Sequence, residues 1–178
     1  MLKPIELRQY LERAVPKLRR SPENFKMFVA GGRLHTTGTE KLAWMYGYTL
    51  QLQFLDWTDH ADVVVAPLLI WLRQHQFDVV DSLGKPGIRF NAEYLDAKCM
   101  DLVLDVDLTE RVIGKPHENK PGALQLHHLD DRPPLHIPTQ ERWELYIQDD
   151  KVAEWDYQPN DPTAPPPAAP KPQGKPKP

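Results

Sequence analysis

The sequence predicts an α+β fold: two or three helices packed on one face of an antiparallel or mixed β-sheet, with a C-terminal β-hairpin arm and a disordered Pro-rich tail. Two alternating runs carry the sheet. Leu42, Trp44, Tyr46, Tyr48, Leu50, Leu52 and Phe54 alternate with other residues, as do Met100, Leu102, Leu104, Val106 and Leu108 with Asp101, Val103, Asp105, Asp107 and Thr109. A side-chain period of two, rich in aromatic and branched residues, marks a half-buried strand. Helical spacing carries the rest. Leu7, Leu11, Ala14, Val15 and Leu18 share one face, and Val64, Val65, Leu68, Leu69, Ile70, Trp71 and Leu72 make a wide apolar surface suited to lie across a sheet.

The first helix is expected from about Pro4 to Leu18. Pro4 suits a first turn, where its missing N–H has no partner to lose, and Pro16 ends or bends the helix. Ser21-Pro22-Glu23 reads as a second, short helix start with Ser21 as N-cap. A strand over Phe25–Thr37 then pairs with the Leu42 run through a turn at Thr36–Glu40. Gly31-Gly32 and Gly84-Lys85-Pro86-Gly87 read as turns, because neither matches a phosphate-cradling loop. Thr58 or Asp59 caps the helix Ala61–Gln76, which Pro67 kinks. Ile88, Phe90 and Ala92 open a strand that turns at Leu95–Lys98 into the Met100 run. Residues 114–140 are rich in Pro and His, show no period, and read as a long irregular arm. Trp143, Leu145 and Ile147 alternate, residues 148–151 turn, and Val152–Tyr157 return as a hairpin. The expected division is a core over 1–113, the arm over 114–140, the hairpin over 141–158 and a Pro/Ala/Lys tail over 159–178.

The length of 178 residues suits one domain. A net charge of -3 lacks the basic excess of a dedicated nucleic-acid binder, so no sequence-specific nucleic-acid partner is expected. Cys99 is the sole cysteine, which excludes an intramolecular disulfide and a Cys-rich zinc site. No apolar run approaches the ~20 residues that span a bilayer, and Met1–Glu6 lacks the apolar stretch of a signal peptide. A cytoplasmic protein without a membrane partner is expected. Residues 159–178 hold nine prolines and too few apolar groups to form a core of their own.

His117, His127, His128 and His136 gather in the arm, but at irregular spacings and without the fixed ligand pair that a catalytic metal needs. They read as solvated loop histidines, and no metal or cofactor is expected. Cys99, at the start of a strand, reads as a small packed residue rather than a nucleophile. Asp101, Asp105 and Asp107 line one strand face. A wet sheet face is simply polar, yet in a ring the same row becomes a candidate lumen lining that repels an anionic polymer. The arm carries Leu124, Leu126, Leu129, Leu135 and Ile137 without a core of its own, and the hairpin carries Trp143 and Trp155. Apolar residues on a long loop and interface-type aromatics make these the candidate subunit contacts. The hairpin must pack on something. Its own domain and a neighbouring subunit are both open.

A series of short collinear matches resembles one family. Met1-Leu2-Lys3-Pro4 with an Arg-rich helix, Ser21-Pro22-Glu23 leading to Phe28-Val29, Tyr48-Thr49-Leu50 followed by Asp56-Trp57-Thr58, Pro67 with Trp71-Leu72-Arg73, Asp107–Arg111, and Trp143–Ile147 with Trp155-Asp156 are similar to the tail completion protein R family of Peduovirus-type contractile-tailed phages. The resemblance covers roughly residues 1–157 and departs in the His/Pro-rich arm and the tail. It implies a structural subunit without catalytic residues. By analogy with other tail terminators, it implies a hexameric ring on the head-proximal end of the tail tube. The partners implied are further copies of the chain and the tube protein, with the sheath and head–tail connector as further neighbours. Two other readings stay open: a metal-dependent enzyme built on the histidine arm, and a monomeric adaptor that docks through its Pro-rich tail.

Overall fold

The computed structural model describes residues 1–36, 42–76, 78–79, 87–129, 142–147 and 149–156. The elements are α1 (Lys3–Ala14), α2 (Pro16–Arg20), a 3-10 turn (Pro22–Asn24), β1 (Phe25–Thr36), β2 (Ala43–Trp57), α3 (Asp62–His75), β3 (Ile88–Tyr94), β4 (Met100–Pro116), β5 (Leu124–His128), β6 (Arg142–Ile147) and β7 (Asp150–Asp156). The fold is α+β, as the sequence predicts, and every strand pair is antiparallel.

The main sheet runs in the order β1-β2-β4-β3, with β5 also on β4. β2 takes one edge of β4 over nearly its whole length. β3 and β5 share the other edge end to end: β3 against Met100–Val106 and β5 against Val112–Pro116. Register sets which side chains share a face. Phe25, Phe54, Leu102 and Ala92 stand in one row, and Val29, Leu50, Val106 and Ile88 in another. These rows face the helices. The odd-numbered residues of β4, among them Asp105 and Asp107, point to the opposite, open face.

The helix layer follows from the two apolar stripes. α1 buries Leu7, Leu11 and Ala14, and α3 buries Val64, Leu68, Trp71 and Leu72. Pro67 lies on that buried stripe, so its ring packs in the core. Leu7, Leu11, Val15, Leu68, Leu72, Leu102, Leu104 and Val106, the residues expected inside, are all buried. Pro16 ends α1 as expected: Val15 leaves the helical region and Pro16 starts α2.

The β6–β7 hairpin lies against α1 of its own chain. Trp155 is 5% exposed, and its Nε1 donates to Tyr10 Oη at 3.0 Å. Trp143 stacks on Trp155 at 6.5 Å between centroids. Of the two positions open to the hairpin, the chain itself supplies the first.

Several local expectations change. Ser21 makes no side-chain cap, and the segment after it is a single 3-10 turn, because Phe25 already enters the sheet opposite Phe54. Gly31-Gly32 do not turn the chain. They lie within β1 beside a bulge between Val29 and Gly31, and a Cβ at Gly32 would stand 3.1 Å from Tyr48 Cβ. Thr58 and Asp59 do not cap α3. Lys17 Nζ holds both, at 2.7 and 2.9 Å, and sits over the Trp57 ring. The segment expected to be irregular from 114 onward begins as the end of β4 and returns as β5, which pairs Leu124–His128 with the outer half of β4. Period failed there because the strand is short and is joined to β4 by the non-alternating loop 117–123. The Thr36–Glu40 turn beyond Thr36, the stretch 80–86, residues 130–141 and the tail from 157 lie outside the described residues.

Leu72 and Leu104 are 0% and 3% exposed, on facing layers of the core. Leu72→Ala or Leu104→Ala should each lower stability by about 2–5 kcal/mol, measured by urea denaturation. Wild-type midpoints for both variants would contradict this layer assignment.

Candidate functional site

Between β3 and β5 the far edge of β4 has no strand neighbour, and its backbone groups bond elsewhere. Asp107 N–H donates to Gly87 O at 2.8 Å, and Arg111 O accepts from Leu129 N–H at 2.9 Å. At Thr109 two side chains replace a strand. Thr109 N–H donates to Gln76 Oε1 at 3.0 Å, and Lys3 Nζ donates to Thr109 O at 2.7 Å. Lys3 Nζ also donates to Gln76 Oε1 at 2.7 Å. One residue on, Glu110 accepts from Leu2 N–H at 2.7 Å, from Tyr48 Oη at 2.5 Å and pairs with His128 Nδ1 at 3.3 Å. Burial first, and then the Glu110 carboxylate, push the Tyr48 hydroxyl far above its ordinary value, so it remains a donor. This joint ties the start of α1 and the end of α3 to the central strand.

The row Asp101, Asp105 and Asp107 lies on the open face as expected, but each member is engaged. Asp101 Oδ1 accepts from Asp56 N–H at 2.9 Å, and Asp105 Oδ1 from Gln51 Nε2 at 2.7 Å. Asp107 accepts from Thr49 Oγ1 at 2.6 Å and from Arg89 at 2.9 Å. The Arg89 guanidinium holds Asp107 below its ordinary value. A trough of about 570 Å³ crosses this face, bordered by Arg33, His35, Asp78 and Asp107.

The histidines do not converge. His127 and His128 are neighbours on a strand and point to opposite faces, His128 is engaged with Glu110, and His117 Nδ1 accepts from Asn119 N–H at 3.1 Å. Among the described residues no group of three metal-ligating side chains forms. His136 lies outside them. Burial, then Asp56, Asp96 and Asp101, push the Cys99 thiol up, the reverse of what a thiolate nucleophile requires.

The candidate contact residues divide. Leu124 and Leu126 on β5 are about half exposed, and Leu129 is exposed beyond them. Trp155 is committed to Tyr10 and Trp143 to Trp155. Leu135 and Ile137 lie outside the described residues. Sequence reasoning missed the most exposed apolar residues, Phe90 at 77% and Tyr94 at 76%, along with Val29 and Leu34 on β1. Their alternation gives a face correctly, but only the strand order shows that β1 and β3 are edges.

Glu110→Ala should cost about 3–5 kcal/mol, because it leaves the Tyr48 hydroxyl, the Leu2 N–H and His128 without their acceptor. Glu93→Ala on the exposed β3 edge should stay within about 0.5 kcal/mol. Urea titrations of the two variants test the contrast. On the hairpin, Lys151 holds Glu144 and Glu154 below their ordinary value of 4.5. Depressed carboxylates stabilise above their unfolded-state value and lose that contribution as pH falls through the folded-state value. The hairpin should therefore weaken below about pH 4.5, and Lys151→Gln should flatten this loss in pH-dependent melts of wild type and variant.

Comparison with known proteins agrees with this picture of a structural subunit. The family model described as "P2 phage tail completion protein R (GpR)" matches residues 1–133. The tail completion protein R of Escherichia phage P2 is 33% identical over 158 residues, covering 88% of this chain and 99% of that protein. No solved structure matches. The family is one of structural tail completion proteins rather than of enzymes. On the extent of both matches, the chain belongs to the P2 phage tail completion protein R family.

Proposed function

We propose that this chain is a tail terminator subunit of a contractile-tailed phage. Copies form a ring, a hexamer by analogy with other terminators, on the head-proximal end of the tail tube. The ring stops tube growth and presents the surface to which the head joins. Its direct partners are other copies of the chain and the tube protein, with the sheath and the head–tail connector as neighbours, and assembly takes place in the host cytoplasm.

Family membership carries this reading. The physical support is the set of leucines on β5 and after it, Leu124, Leu126 and Leu129, which are exposed among the described residues. Exposed leucines so grouped mark a surface that a partner covers. The open face with Asp101, Asp105 and Asp107 turns to the lumen, where its acidic groups and bridging Arg89 keep passing nucleic acid from adhering.

Immunogold labelling of a tagged chain in purified particles should place it at the junction of head and tail. Cells assembling phage without the chain should accumulate heads and unjoined tails. Label spread along the tail, or joined particles in its absence, would refute the reading.

A further inference from the structure

The two edges of the main sheet are both unpaired among the described residues, and they match one another. β1 is one edge, and from Phe28 to Thr36 it is exposed throughout. The other edge is composite: β3 and β5 in line along β4, with the Gln76 and Lys3 side chains filling the gap at Thr109. Unpaired edges of this length are templates for another strand.

The match holds on both faces. On the helix-side face, β1 presents Val29 and Leu34, which register with Leu50 and Tyr46. On the same face the far edge presents Phe90 and Tyr94 from β3 and Leu124 and Leu126 from β5, all exposed. On the open face, β1 presents Lys26, Phe28, Arg33 and His35 and has no acidic residue. The far edge there presents Glu93 with Asn91, Gln125 and His127, while its one arginine, Arg89, is engaged by Asp107, and Asp78 beside the Thr109 gap accepts from Gln76 at 2.6 Å. Apolar thus meets apolar on the helix-side face, and on the open face the basic residues of β1 meet an edge that carries the acidic Glu93.

Strand direction agrees. Along β1-β2-β4-β3 every step is antiparallel, so the far edge runs opposite to β1. A second copy related by rotation about an axis along the strands brings its β1 antiparallel to β3 and β5. A two-fold pairing of β1 with β1 would instead set Lys26 and Arg33 against their own copies.

We infer that the ring is built by edge-to-edge strand addition, β1 of each copy joining the β3–β5 edge of the next into a continuous antiparallel sheet. This inference rests on the ring reading above and specifies its contact. The contact is head-to-tail, so it does not stop at a dimer and makes a ring where the rotation between copies closes.

The test uses the full chain in assembling particles, in a Cys99→Ser background. Val29→Cys with Phe90→Cys, treated with a short-spacer bismaleimide, should give a covalent ladder ending at the ring size. Neither single-cysteine chain should give dimers. Independently, Val29→Lys with Leu34→Lys, or Phe90→Lys with Leu126→Lys, should each reduce completed tails at least ten-fold. All four positions are exposed, and an unchanged melting temperature separates this effect from misfolding. Mixing the two variants should yield heterodimers and no rings, since only one good contact remains. Dimers from Val29→Cys alone would overturn the inference in favour of a two-fold β1 contact. Rings visible at the tail end without cross-links, and unimpaired by the lysine variants, would overturn it while leaving the ring standing. A single copy at the tail end would overturn both.

Discussion

At Thr109 the central strand has lost its neighbour, and the rest of the structure depends on how that gap is closed. Buried backbone groups must bond to something. Here Gln76 takes the N–H and Lys3 the carbonyl. Among the described residues, the buried polar or charged side chains are Lys3, Gln76 and Glu110, and all stand at this joint. Burying them is costly unless every group is satisfied, and each has partners at hydrogen-bond distance. The joint thereby fixes where the N-terminus of α1 and the C-terminus of α3 sit on the sheet. It also divides the far edge into β3 and β5.

A second constraint is length. β4 has 17 residues and α1 has 12. At about 3.3 Å per strand residue and 1.5 Å per helical residue, these are roughly 56 Å and 18 Å. The helix layer cannot cover such a sheet. Over Leu102 to Leu108 the strands are capped by α1 and α3 and the side chains are buried. Farther along, Leu34, Leu42, Leu124 and Leu126 keep the core-facing parity but are exposed, with no helix above them among the described residues. The uncovered apolar rim is a consequence of strand length, not of a flaw in patterning.

These features suit a component that completes a tail. The chain makes a stable body from its own α1, α3 and sheet, with the hairpin closing over Tyr10. Its outer edges carry exposed apolar residues, Leu34 on β1 and Phe90 and Tyr94 on β3. The chemistry-bearing residues are absorbed into the fold: Asp107 neutralises Arg89, His128 serves Glu110, and Cys99 is held in its thiol form.

Much of this was legible in the sequence. The alternation of Leu42–Phe54 and Met100–Leu108, the stripes of α1 and α3, the break at Pro16 and the hairpin are local patterns, and a local pattern reports which side of an element faces inward. The collinear matches that point to the family are likewise local. Tertiary structure alone decided the rest. Lys3 meets Thr109 across 106 residues of chain, Tyr48 meets Glu110 across 62, and Trp155 meets Tyr10 across 145. β5 exists because the far edge of β4 is open at Val112–Pro116, and Phe90 is exposed because β3 is last in its sheet. Periodicity encodes a side chain's face but not its neighbours. Neighbours depend on strand order and on how layers stack, which no spacing within a single element contains.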